Sequence, residues 1–356
     1  MTHILAAGDH FVSPDLFRAA LTDRLPDDEV TFVDLTLPWP HTPFGDVGGV
    51  QEASGNIDEL ISALDGVDVA VTQMAPFTAE VFRAAPRLRM VGVCRGGPVN
   101  VDLAAATAAG VAVSFAPGRN AQAAAEFAVG LMLAAMRRIP AADAELKAGT
   151  WRGDYYAWEN TGAEIAGSTV GLVGYGAIGR IVARVLRALG AEVLTFDPYA
   201  DAAAVAADGV AVVGLEELLT RSAVVSLHAR LTSETRHLLN RERLALLPRG
   251  AVLVNSARGG LLDYAPLPGL LADGSLGALA LDVYDVEPPP PDWPLRAAPN
   301  VVLSPHLAGA TRQTAERAAS IVAGDVADFL AGRKPTHLAN PDVVIRPEHV
   351  ASQAVS

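Results

Sequence analysis

The feature that most restricts the fold is the stretch TVGLVGYGAIG, where an apolar run from Thr169 meets glycines at 174, 176 and 179 and an amphipathic segment, RIVARVLRAL, follows at once. A lone G-x-G-x-x-G is a weak signal; between a strand pattern and a helix pattern it gains meaning. In that setting Gly174 permits a tight turn, Gly176 lets a bound group approach the backbone, and Gly179 lets helix pack closely on strand. The first helical N–H groups, at Ala177 and Ile178, then face outward as an end suited to a pyrophosphate. The next apolar run, EVLTFD, ends in Asp197 about 20 residues beyond the turn, where a carboxylate binds the hydroxyls of an adenosine ribose and opposes a 2′-phosphate. The reading is a dinucleotide site that takes NAD, with NADP disfavoured. The bland alternative is a glycine-rich turn with Asp197 as a helix cap before Pro198.

The rest of the chain has the same rhythm. Before the turn, HILAAG, EVTFVDL, VDVAVTQ, LRMVGV and VAVSFAP alternate with helical-looking stretches over residues 12–24, 56–64, 78–84 and 101–108. After it, EVLTFD, AVVSLHA, AVLVNSA, ALALDVY and VVLSPH do the same. Such alternation predicts βα units on parallel sheets. At 356 residues the chain exceeds what one core supports. The expectation is an α/β protein of two doubly wound Rossmann-like domains, with parallel sheets and a cleft between them. An Ala-rich helical pattern over residues 120–148, interrupted at Pro140, marks the crossing, and after Gly309 the stretch TRQTAERAASIVAGDVADFLAG packs back on the first domain. The expected boundaries are 1–119 with 310–340 for a discontinuous substrate-binding domain, 120–309 for the NAD-binding domain, and 341–356 for a tail without strong periodicity. The Pro- and Gly-rich segment Leu37–Gly55 reads as an irregular surface loop.

Composition removes several function classes. Hydrophobic residues make up 51% of the chain, yet no charge-free apolar run approaches the roughly 18 residues of a membrane span. The N-terminus lacks the basic region and cleavage pattern of an export signal. A single cysteine, Cys94, with no Cys/His cluster at zinc spacing, points to a reducing cytoplasm and no metal. A net charge of -13 disfavours nucleic acid and anionic membranes as partners, leaving a small molecule.

Three polar residues stand at the ends of successive predicted strands: Arg258 in VLVNSARGGLLD, Glu287 in ALDVYDVEPP and His306 in VVLSPHLAGAT. In an open α/β sheet the carboxyl ends of strands border the ligand crevice, so the three can converge. Carbonyl reduction needs a group for the substrate carboxylate, a proton donor for the developing alkoxide, and a partner that keeps the donor charged. Arg, His and Glu supply these in that order, through bidentate carboxylate recognition, titration near neutral pH and a charge that raises the His pKa. Taken singly, each has a structural explanation as a turn, cap or solvated residue.

The signatures AEFAVGLMLAAMR, GAEIAGSTVGLVGYGAIGR, SLHARLTSETRHLLN, NSARGGLLD, LDVYDVEPP and NVVLSPHLAGAT, in this order, resemble those of the D-isomer-specific 2-hydroxyacid dehydrogenases, the group of phosphoglycerate, glycerate and D-lactate dehydrogenases. The resemblance implies an oxidoreductase that interconverts a 2-keto acid and a D-2-hydroxy acid. It implies that Arg258 holds the substrate carboxylate and keto oxygen, that His306 is the acid/base and that Glu287 is its charge partner. It also implies that Asp282 touches the nicotinamide amide, that His228 and Ala257 line the cofactor site, and that the chain forms a homodimer mainly through its NAD-binding domain. Alternatives are an NADPH-preferring glyoxylate or hydroxypyruvate reductase and a non-catalytic NADH-sensing protein like the corepressors that share this fold. A formate dehydrogenase calls for Gln where this chain has Glu287.

The chain departs from the family pattern in its first domain, where CRGGPVNVD replaces an Ala/Gly-rich segment with Asp-Asn. Arg95 there adds a guanidinium beside Gly96 and Gly97, whose N–H groups are expected to receive a carboxylate. The expectation is that Arg95 meets a second anionic or polyhydroxylated part of the substrate; the alternative is a structural salt bridge. Ala223 and Arg230 also depart from the family, and Arg230 lies close enough to the cofactor segment to bear on the choice between NAD and NADP. No regulatory domain is recognisable after residue 345, so serine feedback is not expected.

Overall fold

The computed structural model describes residues 1–25 and 30–345, and the chain divides into two compact units, Met1–Asn120 with the chain from Ala310 on, and Ala121–Gly309. The part of the expected tail beyond residue 345 lies outside the described residues. The first unit holds β1 (Thr2–Gly8), β2 (Val30–Thr36), β3 (Gly45–Val47), β4 (Val50–Ala53), β5 (Val69–Thr72), β6 (Met90–Val93) and β7 (Ala112–Phe115). Five of these form a parallel sheet in the order β2-β1-β5-β6-β7. Its inner strands are buried on both faces, as continuous apolar runs such as VAVT and MVGV require. The long helix Arg312–Leu330 supplies Ala318, Val322 and Val326 to the core on one face, with Phe17 and Leu21 from the helix Pro14–Thr22.

The segment Leu37–Gly55, expected to be irregular, contains an antiparallel hairpin of β3 and β4. Its turn is Gly48-Gly49, both at positive φ (61° and 90°), the two-residue arrangement that matches the twist of paired strands. The Pro and Gly content that suggested a loop here serves a tight reversal.

The second unit holds β8 (Thr169–Val173), β9 (Glu192–Phe196), β10 (Ala211–Val212), β11 (Val224–Leu227), β12 (Ala251–Asn255), β13 (Leu276–Leu281) and β14 (Val301–Leu303) in one parallel sheet, ordered β10-β9-β8-β11-β12-β13-β14. The chain runs outward one way from β8 and then returns to its other side at β11, so the order reverses between these two strands. Ligands of open α/β sheets bind at such a reversal, beyond the carboxyl ends of the strands. The Ala-rich pattern resolves into helices Ala121–Met136 and Ile139–Lys147, with Pro140 in the first turn of the second, where its missing N–H is no loss. The first of these helices buries Ala128, Met132 and Ala135 in a core shared with Val182 and Leu186 of the helix Ala177–Ala188. No helix of the described residues is long and apolar enough to cross a membrane.

Candidate functional site

At the reversal point the glycine turn has the geometry its sequence requires. Gly174 adopts φ 104°, and a Cβ there would lie 2.7 Å from the Ala229 nitrogen. At Gly179 a Cβ would meet the Gly174 carbonyl oxygen at 2.3 Å, so helix and strand approach only because both residues lack side chains. Gly176 differs: a Cβ there meets nothing within 4 Å, which leaves the space over the helix end open to a ligand. Gly176 caps the helix that starts at Ala177 without a side-chain hydrogen bond, leaving the first-turn N–H groups of Ala177 and Ile178 to an external acceptor. The Asp197 carboxylate, at the end of β9, accepts from the Tyr175 N–H at 2.8 Å and the Tyr199 N–H at 2.9 Å, which fixes it beside the turn.

His228 follows β11, packed against Gly174. Its Nε2 is buried and has no hydrogen-bond partner among the described residues. Burial pushes the imidazole down from 6.5 to about 4, so the ring is neutral. An open cradle, a helix N-terminus, a fixed carboxylate and an orphaned ring nitrogen together fit a dinucleotide.

Farther along the same sheet edge the structure brings three of the expected residues together. The His306 Nδ1 lies 2.8 Å from the Glu287 Oε2, and the Tyr284 N–H donates to Oε1 at 3.0 Å. Burial raises the Glu287 pKa, but the hydrogen bond and charge of His306, the Tyr284 N–H and the Arg258 charge outweigh it, and the carboxyl is held below its ordinary 4.5. His306 itself sits at φ 54°, left-handed backbone that costs a non-glycine residue about 1 kcal/mol or more. Asp282 stabilises that conformation. Fully buried at the end of β13, its Oδ1 accepts from the Ser304 hydroxyl at 2.6 Å and the Leu307 N–H at 2.8 Å, and its Oδ2 from the Ala308 N–H at 2.8 Å. Its carboxylate thus clamps the segment on both sides of His306.

Arg258 is exposed after β12, its guanidinium donating to the Ala257 carbonyl at 2.7 Å. The turn is set by Asn255, a fully buried residue that sequence reasoning passed over: its Nδ2 donates to the Arg258 carbonyl at 3.0 Å and its Oδ1 accepts from the Ala257 N–H at 3.1 Å. Tyr284 was missed likewise; its hydroxyl donates to the Ser304 carbonyl at 2.8 Å, tying the Glu287 loop to the His306 loop. An amide at the end of an apolar strand, as in AVLVN, is the signal that points to such a residue, since a buried amide must be satisfied.

In the first unit, Arg95 follows β6. Its guanidinium pairs with the Glu52 carboxylate on β4 and touches the Met74 sulfur, and its side chain is 11% exposed. The salt-bridge alternative therefore describes its state. Gly96 and Gly97 leave open space where a Cβ would stand. The hairpin buttresses this loop through the Gln51 N–H, which donates to the Val99 carbonyl at 3.0 Å.

Residues 129–308 match the family model of the D-isomer specific 2-hydroxyacid dehydrogenase NAD binding domain. Over 305 residues the chain is 41% identical to the D-3-phosphoglycerate dehydrogenase of Mycobacterium tuberculosis, covering 85% of this chain and 57% of that protein, so it spans little more than half of that relative. It is 38% identical over 298 residues to the glyoxylate reductase of Korarchaeum cryptofilum, covering 83% of this chain and 90% of that one. Among solved structures, a protein of Thermus thermophilus superposes with a TM-score of 0.78 at 33% identity, covering 95% of this chain and all of the other.

Proposed function

The chain belongs to the D-isomer-specific 2-hydroxyacid dehydrogenases, with NAD(H) as the cofactor of its second unit, and on that premise we propose that it reduces a small 2-keto acid to the D-2-hydroxy acid, or runs the reverse. The observation that carries this reading is the His306 Nδ1 to Glu287 Oε2 pair at 2.8 Å, on the same sheet edge as Arg258 and the glycine turn. When bound, NADH would supply the hydride-transfer chemistry. Arg258 holds the substrate carboxylate in a fork of donors. His306 gives a proton from Nε2 to the oxygen as charge develops there, because its Nδ1–H is committed to Glu287. Glu287 fixes the ring through the hydrogen bond at Nδ1, and Asp282 and Asn255 hold the two loops in register. The cofactor is held by the N–H groups at Ala177 and Ile178, by Asp197 and by His228, with Asp282 and Ala257 toward the nicotinamide end. In the first unit, Gly96 and Gly97 are the residues proposed to offer N–H groups to a substrate.

The Korarchaeum relative, matched over most of its own length, favours a short substrate of the glyoxylate or hydroxypyruvate kind. A homodimer through the NAD-binding unit and a reducing, cytoplasmic setting complete the proposal; the thiol of buried Cys94 is pushed up by burial and is inert. NADH oxidation followed against glyoxylate, pyruvate, hydroxypyruvate and longer 2-keto acids tests the reading. Turnover of at least one is expected, with His306→Ala reducing kcat by roughly 10²–10⁴-fold while NADH binding persists. Bound NADH without turnover of any member favours a cofactor-sensing protein instead.

A further inference from the structure

The helix Ala177–Ala188 carries Arg180, Arg184 and Arg187 on one face, and the three line a pocket of about 300 Å³ together with Tyr175, Ala188 and Asp208. We propose that this pocket is a second anion site of the NAD-binding unit, one that takes a phosphate group other than those of the cofactor.

Charge is the first argument. Like charges one turn apart on a helix repel each other and weaken it. Here three guanidiniums face a single lining carboxylate, Asp208, so the pocket keeps an excess of two positive charges in a chain whose net charge is -13. Arg180 pairs with the Asp208 Oδ2 at 3.3 Å, and Arg187 donates to the Asp208 carbonyl. The Arg184 side chain has no hydrogen bond or ion pair among the described residues. A concave surface dominated by one sign of charge gathers ions of the other.

The second argument is that the donors are held in place. Arg187 lies against Gly209, which at φ 70° has no Cβ to push the guanidinium away. Tyr175 is anchored twice: its N–H donates to the Asp197 Oδ2 at 2.8 Å and its hydroxyl to the Asp208 Oδ2 at 3.0 Å. Burial and the Asp208 carboxylate push the phenol up to about 12, so it stays a protonated donor. Ligand type is the third. Guanidinium forks match the oxygens of a phosphate, and the excess of two charges is the charge that a phosphate dianion brings. The volume suits a phosphate with a small part of the molecule that bears it. Arg184 stands seven residues beyond Ala177, about 10 Å along the helix from the N–H groups proposed for the cofactor pyrophosphate, so the two anions occupy separate places.

The test is a calorimetric titration of inorganic phosphate into the NADH-saturated protein, with ionic strength held constant by chloride and NADH fluorescence read in parallel. One phosphate per chain is expected, with a Kd of about 1 mM or below and with NADH retained. Arg184→Gln, an exposed change to another good helix former, should raise that Kd by about tenfold. Asp208→Asn removes the negative charge of the pocket and should lower it. Melting temperatures establish that each variant folds, and the opposite signs leave one variant decisive if the other is lost. Phosphate that binds only by displacing NADH belongs to the cofactor site and overturns the inference. A titration that does not saturate, or a Kd indifferent to both substitutions, overturns it as well, and each of these results leaves the dehydrogenase reading standing.

Discussion

A buried imidazole nitrogen with no partner among the described residues is a cost the fold carries for whatever completes it, and the His228 Nε2 is such an atom. Its folded pKa of about 4 lies below the ordinary 6.5, so as pH falls the unfolded chain takes up the proton first. The stabilising contribution is therefore complete above pH 6.5 and is lost as pH falls toward 4, by up to about 3 kcal/mol. Urea unfolding of the ligand-free protein at a series of pH values should show that loss, and His228→Gln should flatten this part of the profile; an unchanged slope in the variant would place the ring in solvent. The same substitution should weaken NADH binding at neutral pH. Glu287 has the same sign by another route, since its depressed pKa makes its pairing with His306 a source of stability that fades in acid.

At the scale of the element, the strand–turn–helix unit separates packing from binding within six residues. A Cβ at Gly179 collides with backbone, the Gly174 carbonyl at 2.3 Å, and backbone cannot swing aside as a side chain can. Gly179→Val should therefore cost about 1–3 kcal/mol of stability and lower NADH affinity together. Gly176→Val enters open space at φ -77°, a conformation every residue adopts, so its melting temperature should stay near that of the parent while the NADH Kd rises tenfold or more. Titration by NADH fluorescence with parallel calorimetry checks both; equal destabilisation by the two would deny that Gly176 faces a ligand. This unit was fully legible beforehand because each glycine has a local reason. So were Arg258, Glu287 and His306, which close apolar runs, and a residue at a strand's carboxyl end is placed by the sheet itself. Glu52 was not legible: it belongs to a hairpin whose Gly48-Gly49 turn lay in a segment dense with Pro and Gly, and its partner Arg95 is 43 residues away. The Asp282 clamp escaped for a similar reason, because its three donors come from the following strand end.

At the scale of the whole molecule, a chain with net charge -13 resists self-association except where apolar surface outweighs repulsion. That surface is in the second unit, on the two short 3₁₀ turns Gly153–Tyr156 and Trp158–Asn160, where Tyr156 is 94% and Trp158 is 90% exposed, with Trp151 exposed just before them. The helix Ile139–Lys147 adds exposed Ile139 and Leu146 and buries none of its residues. Arg152 lies over the Tyr155 ring at 4.6 Å and also pairs with Glu145 and Asp154, which gives the segment a fixed shape without covering its apolar side chains. Large rigid aromatics exposed in this way are the residues that dominate interfaces. The homodimer proposed above makes a second copy of the chain the partner to test. Sedimentation velocity should therefore give a dimer for the parent, and Trp158→Glu should raise the dimer Kd by about thirtyfold or more, the effect of losing a contact worth roughly 2 kcal/mol. Because Trp158 is not among the residues proposed to hold the cofactor, the variant should still bind NADH. A parent that sediments as a monomer at micromolar concentration would assign these aromatics to a different partner, and a dimer indifferent to Trp158→Glu would move the interface to another face of the unit.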